Sequence, residues 1–183
     1  MTLIRCTNKL QKTWGIKPSD IASEIPESPI FGSWYANQID INDSQGILFV
    51  NDKTLFNFII PELHKNQAYQ LKSTFKSYLQ CILADEGFDS DFIDKVMVEC
   101  TTIDYTNTNS KKVLGSMNEL AFMYTCHFEE DNLNSYKLPE IIKSMNRVIM
   151  GMVKGYSVDA FRALVWIVLN WVNLTKTELL SSW

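Results

Sequence analysis

The chain is poor in the residues from which recognisable catalysis is built. It holds 2 histidines in 183 residues, and metal ligation or acid–base work near neutral pH leans on that side chain more than on any other. The four cysteines, Cys6, Cys81, Cys100 and Cys126, lie far apart and form no CxxC pair. No GxxxxGK[ST] loop, GxGxxG turn, HExxH helix or GxSxG elbow occurs anywhere. The usual phosphate cradle, dinucleotide turn, zinc helix and serine elbow are therefore absent, and no metal and no cofactor is expected. Isolated cysteines read as reduced thiols, which points to a cytoplasmic protein. Cys81, beside Ile82 and Leu83 in a helical stripe, reads as a core thiol.

Long apolar runs are lacking too. The longest, Ala163–Leu169, falls well short of the ~20 residues a spanning helix requires, and Met1–Cys6 has no apolar signal core. No membrane association is expected. Positive charge is scarce: 17 Lys and Arg stand against 21 Asp and Glu, for a net charge of −4. A surface for nucleic acid is not expected from that balance. The deficit is uneven, since residues 61–130 sum to −5 and residues 131–183 to +2.

What the chain does have is core. Hydrophobic residues make up 46% and aromatics 12%, including ten Phe, ample for a folded globular protein. Leu3–Cys6 reads as a strand, with Thr7 capping a short helix that Gly15 stops. Pro18, Pro26 and Pro29 mark a wrapping connection. Ser33–Asn42 and Gly46–Val50 read as a hairpin around a polar turn, and a change of parity along the first strand predicts a bulge near Asn37 and Gln38. Leu55–Ile60 follows as a third strand, ended by Pro61.

Helical spacing then takes over. Leu71, Phe75, Leu79, Ile82 and Leu83 make one stripe, closed by Gly87. Asp89 caps a second helix, and Thr101–Tyr105 returns to the sheet. Met117, Leu120, Ala121, Tyr124 and Phe128 line a third helix. Pro139 opens a fourth, with Ile142, Met145, Val148, Ile149 and Met152 on its stripe. Ser157 caps a fifth that runs to about Asn173. The fold class is α+β: a small, mainly antiparallel sheet of about five strands, with about five helices packed on one face. Residues 1–183 form a single domain, in which 131–183 is a C-terminal helical extension packed on the core formed by 1–130.

The candidate site residues are polar groups at element ends. Asn37 falls in the expected bulge, Asn51 and Asp52 follow an apolar strand, and Ser116 and Asn118 open the third helix, just after Lys111 and Lys112. Helix N-termini with lysines nearby can hold an anion. Asp52 is the one evident acid–base candidate among them. Asn-Asp pairs also build tight turns, and Asn or Ser near a helix start satisfies orphan donors, so the same residues serve equally as turns and caps. His127 lies on a helix face, where a structural role is the ordinary one. The last helix is apolar around most of its circumference. Phe161, Val165, Val168 and Leu169 are expected in the core, which leaves Leu164, Ile167 and Trp171 for a protein partner or a homodimer.

Three segments occur together: Ser33-Trp34-Tyr35-Ala36-Asn37, Leu48-Phe49-Val50-Asn51-Asp52, and Leu114-Gly115-Ser116-Met117-Asn118. Over about residues 1–130 the chain resembles a bacterial domain-of-unknown-function family with these SWxAN, LFVND and LGSMN motifs. The resemblance implies a bacterial or mobile-element origin, of the phage, plasmid or defence kind. It marks Trp34, Asn37, Asn51, Asp52 and Asn118 as motif positions and carries no catalytic residue. The expectation is a non-enzymatic regulatory or protein-interaction protein. The alternative is a small enzyme or ligand-binding domain with its site around Asn51, Asp52 and Asn118.

Overall fold

The computed structural model describes residues 1–23, 29–41, 44–62, 65–131 and 137–164. Five strands form one sheet: β1 (Thr2–Cys6), β2 (Trp34–Ile41), β3 (Ser44–Asn51), β4 (Asn57–Ile60) and β5 (Ile103–Asn107), in the order β4-β3-β2-β1-β5. β2, β3 and β4 run antiparallel. β1 runs parallel to both its neighbours, β2 and β5. The sheet is therefore mixed, where the sequence predicts a mainly antiparallel one. Hairpin turns are written locally, but the parallel neighbours of β1 are set by crossovers that no short stretch encodes.

The hairpin itself is regular. Register runs without interruption from Trp34 opposite Asn51 to Ile41 opposite Ser44, so there is no bulge at Asn37 and Gln38. The parity change arises because both faces of β2 are covered. Tyr35, Ala36, Gln38 and Ile39 are all buried, and a strand covered on both sides need not alternate.

Helices α1 (Asn8–Trp14), α2 (Leu71–Asp85), α3 (Ser90–Glu99), α4 (Lys111–Asp131) and α5 (Leu138–Met145) are joined by α6, residues 157–164. They pack on both faces of the sheet, not on one. Consecutive strand residues point oppositely. In β4, Phe58 meets Phe75 of α2 with ring centroids 5.8 Å apart, while the Oδ1 of Asn57 accepts from the Tyr124 hydroxyl of α4 at 2.8 Å.

On the α2 face, Trp34 sits 1% exposed among Phe56, Phe58, Phe75 and Phe161. One contiguous buried cluster reaches from Ile4 in β1 to Phe161 in α6. Residues beyond 131 thus contribute to the same core as the sheet.

Where boundaries are set by nearby chemistry, they fall as predicted. Thr7 caps α1 by accepting from the Leu10 amide, and Gly15 ends it at φ +65°. Asp89 accepts from the Phe92 amide and opens α3. Three expectations are corrected. α5 stops at Met145, and Ile149 is 74% exposed instead of lying on a buried stripe. Ser157 does not cap α6, because its hydroxyl is spent on the carbonyl and side chain of Asn146. Cys81 is exposed, since Leu79, Ile82 and Leu83 already fill the inner face of α2. Among the described residues no helix is long and apolar enough to cross a membrane.

Candidate functional site

The LFVND motif ends β3, and its last two residues hold a distant piece of chain. Asn51 is fully buried. Its Nδ2 donates to the Phe31 carbonyl at 2.8 Å. Its Oδ1 accepts from the Lys53 amide, the Thr54 amide and the Thr54 hydroxyl. Asp52 accepts from the Ser33 amide at 2.8 Å. Lys53 Nζ donates to the carbonyls of Pro29 and Ile30. From the other side Glu99, at the end of α3, accepts from the amides of Ile30 and Phe31.

Residues 29–33 are therefore gripped group by group from two elements. The grip explains Gly32. Its φ is +89°, and a Cβ there would stand 2.6 Å from Asp52 Oδ1, so a side chain would collide with the clamp.

The two carboxylates in the clamp are held against burial. Desolvation raises the Asp52 carboxyl above its ordinary value, opposed by the Ser33 amide and then by the charges of Arg5 and Lys53. Burial raises Glu99 likewise, against the amides of Phe31 and Ile30.

The other nominated residues lie apart from this clamp or serve it differently. Trp34 is a core side chain, so it is not presented to a ligand. Asn37 accepts from the Thr7 hydroxyl at 2.7 Å and ties the cap of α1 to β2. Lys111 is the first residue of α4 and is exposed. Ser110, one residue earlier, accepts from the Val113 amide as the N-cap. Ser116 and Asn118 therefore sit inside the helix and do not open it. Asn118 is exposed on α4, and no described hydrogen bond joins it to Asn51 or Asp52. Leu164 is partly buried against the core. Ile167 and Trp171 lie outside the described residues.

A different face of the molecule is open. α4, α5 and the segment after α5 border a groove of about 260 Å³ lined by Phe122, Met123, Cys126, His127, Met145 and Val148. Phe122 is 71% exposed at its rim, and Ile149 stands out a residue beyond Val148. Sequence reasoning missed this face. The signal was there in Phe122, an aromatic one position off the inner stripe of Ala121 and Tyr124. Among the described residues no group of His, Cys, Asp and Glu is arranged to hold a metal.

With a five-stranded mixed sheet covered on both faces and a motif that clamps its own backbone, the chain is an α+β protein with no chemistry declared by its motif residues. A family model described as "Domain of unknown function (DUF6933)" matches residues 3–158, and the chain belongs to that family. The match runs past residue 130 and takes in α5 and the first two residues of α6, in keeping with a core to which residues beyond 131 contribute. No curated protein and no solved structure matches the chain.

Proposed function

We propose that this is a non-enzymatic protein-interaction protein, and that it works through the α4–α5 face by pairing with a second copy of itself. The observation that carries the reading is a knob beside a hole: Phe122 is 71% exposed on the lining of a groove that Met123, Cys126, Met145 and Val148 also line. Two-fold pairing places the same patch on both partners, so each Phe122 enters the other copy's groove. Methionine walls adapt to an inserted ring at small cost, and an exposed aromatic flanked by Ile149 is the kind of residue that dominates interfaces. The polar motif residues support the reading as well, because Asn51, Asp52 and Asn37 spend hydrogen bonds on their own chain.

Light scattering and sedimentation over a concentration series test this. The wild type associates reversibly. Phe122→Glu weakens that association by about 30-fold, the scale of one hot-spot residue, with the thermal midpoint of the monomer unchanged. A wild-type chain that stays monomeric at millimolar concentration overturns the reading.

A further inference from the structure

β1 and β5 are adjacent and parallel, with Cys6 opposite Asn107 at their carboxyl ends. The chain leaves them in opposite directions. From β1 it enters α1, which packs beside the 3-10 turn Lys65–Gln70 that also packs on α2. Lys9 of α1 reaches Asp40, which shares the parity of Trp34 and the α2 face. From β5 the chain enters α4, on the opposite face. Two neighbouring parallel strands whose connections diverge in this way open a crevice beyond their carboxyl ends, and ligands of open α/β sheets collect in such crevices.

Arg5 stands beside that crevice on the α4 face. It is 9% exposed, and among the described residues it makes one hydrogen bond, from Nη1 to the Asn107 carbonyl at 3.1 Å. Its Nε is buried and has no acceptor. A buried guanidinium held by one neutral carbonyl has hydrogen-bonding capacity left unfilled. Asp52 is the carboxylate whose titration feels it, but Asp52 is committed to the Ser33 amide and forms no ion pair with it. The unpartnered donor is Nε, and the Nε–Nη2 edge of a guanidinium is one that can give two parallel hydrogen bonds to the oxygens of one oxyanion. Around it the donors are already fixed. Gln11 Nε2 bridges the Cys6 carbonyl and Asn107 Oδ1 at 2.9 and 3.0 Å, and the Tyr35 hydroxyl donates to Asn109 Oδ1.

We infer that Arg5 anchors a binding site for a small oxyanion group, phosphate or carboxylate, in the crevice between β1 and β5. The site is distinct from the α4–α5 groove and does not depend on self-association.

The full chain is titrated in separate samples with inorganic phosphate, with acetate, and with sodium chloride at matched ionic strength, while the Arg5 Nε–H resonance is followed in proton–nitrogen spectra. The Arg5 signal moves saturably with an oxyanion and not with chloride. A response to phosphate alone assigns a phosphoryl ligand, and a response to acetate alone assigns a carboxylate. Arg5→Lys keeps the charge but loses the fork and binds at least about 10-fold more weakly, read by calorimetry. If that variant does not fold, the surface pair Lys111→Ala and Lys112→Ala decides, because it must retain the wild-type Arg5 shift within about threefold affinity, as screened surface charges add little. No movement of the Arg5 resonance, an equal movement with chloride, or its loss in the double lysine variant each overturns the site.

Discussion

Replacing Asn51 with alanine removes a donor and an acceptor that together make four hydrogen bonds in a fully buried position. It leaves the Phe31 carbonyl and the Thr54 amide without partners, and each such group costs about 1–3 kcal/mol. Asn51→Ala is therefore expected to lower unfolding stability by about 2–4 kcal/mol, measured as a fall in the urea midpoint at unchanged slope. Asp52 and Glu99 make a second expectation, and its sign runs against ordinary acid denaturation. Both carboxyls are raised in the folded state, chiefly by desolvation. A group with a raised folded value favours the native state below its unfolded value, and that advantage disappears as pH rises through the folded value. Starting from the ordinary values of 3.8 for Asp52 and 4.5 for Glu99, the contribution of these two groups declines with increasing pH. Asp52→Asn, which keeps the acceptor for the Ser33 amide, flattens its share of that slope. A slope unaltered between wild type and Asp52→Asn, in urea denaturation at a series of pH values, would show that the clamp does not titrate as described. At this scale the sequence was half legible. Asn51-Asp52 reads as a turn from its own chemistry, and Asn51 does bond Lys53 and Thr54. Its grip on Phe31, 20 residues earlier, has no local signature.

Elements meet at a second buried polar knot, which closes the β4 edge of the sheet. Asn146, just past α5, accepts from the Asn57 amide and donates back to the Asn57 carbonyl, at 2.9 and 2.8 Å. Tyr124 of α4 donates to Asn57 Oδ1, and Ser157 at the start of α6 donates to Asn146 Oδ1. One strand and three helices thus share a single satisfied network in the low-dielectric interior. Tyr124→Phe removes one bond and is expected to cost about 1–2 kcal/mol, whereas Asn146→Ala orphans groups on β4 and α6 and is expected to cost about 3 kcal/mol. The double variant should cost less than the sum, because Asn57 links the two. Additive losses in denaturant titrations would show that the groups act independently. A neighbouring tie, the two-pronged pairing of Arg147 with Glu86 at 3.1 and 2.7 Å, joins the end of α2 to the turn after α5. These long-range ties explain which helix ends could be read beforehand. The caps of α1 and α3 are made by Thr7 and Asp89, three residues from the amides they bind. The end of α5 is fixed by a partner 89 residues away, so apolar spacing alone carried the expected helix on to Met152. Asn57 between two phenylalanines was the visible hint, a polar residue inside a strand covered on both faces.

Across the whole molecule, the parity of β2 carried the information that two faces are buried, but it reads equally as a bulge until the helices are placed. Cysteine reactivity gives a global check on that placement, because the four thiols sample its layers. Cys6, at the end of the central parallel strand β1, is fully buried, and desolvation pushes its thiol up to about 12. Cys100, between α3 and β5, is 3% exposed and raised for the same reason, with the Thr2 hydroxyl beside it. Cys81 is exposed on α2, and Cys126 is half-buried in the α4–α5 groove. Thiolate is the reactive form, so the native chain should label at Cys81 first and Cys126 second. Cys6 and Cys100 should react only on unfolding, at a rate set by global opening. Peptide mapping after timed alkylation reads each site separately, and labelling of Cys6 as fast as Cys81 would contradict the placement of β1 in the interior. The same experiment reaches the proposed self-pairing. If two copies meet through the groove, raising the protein concentration slows alkylation of Cys126 while leaving Cys81 unchanged, and Phe122→Glu removes that dependence. Protection of Cys126 that does not vary with concentration would place its shielding within one chain and count against the pairing.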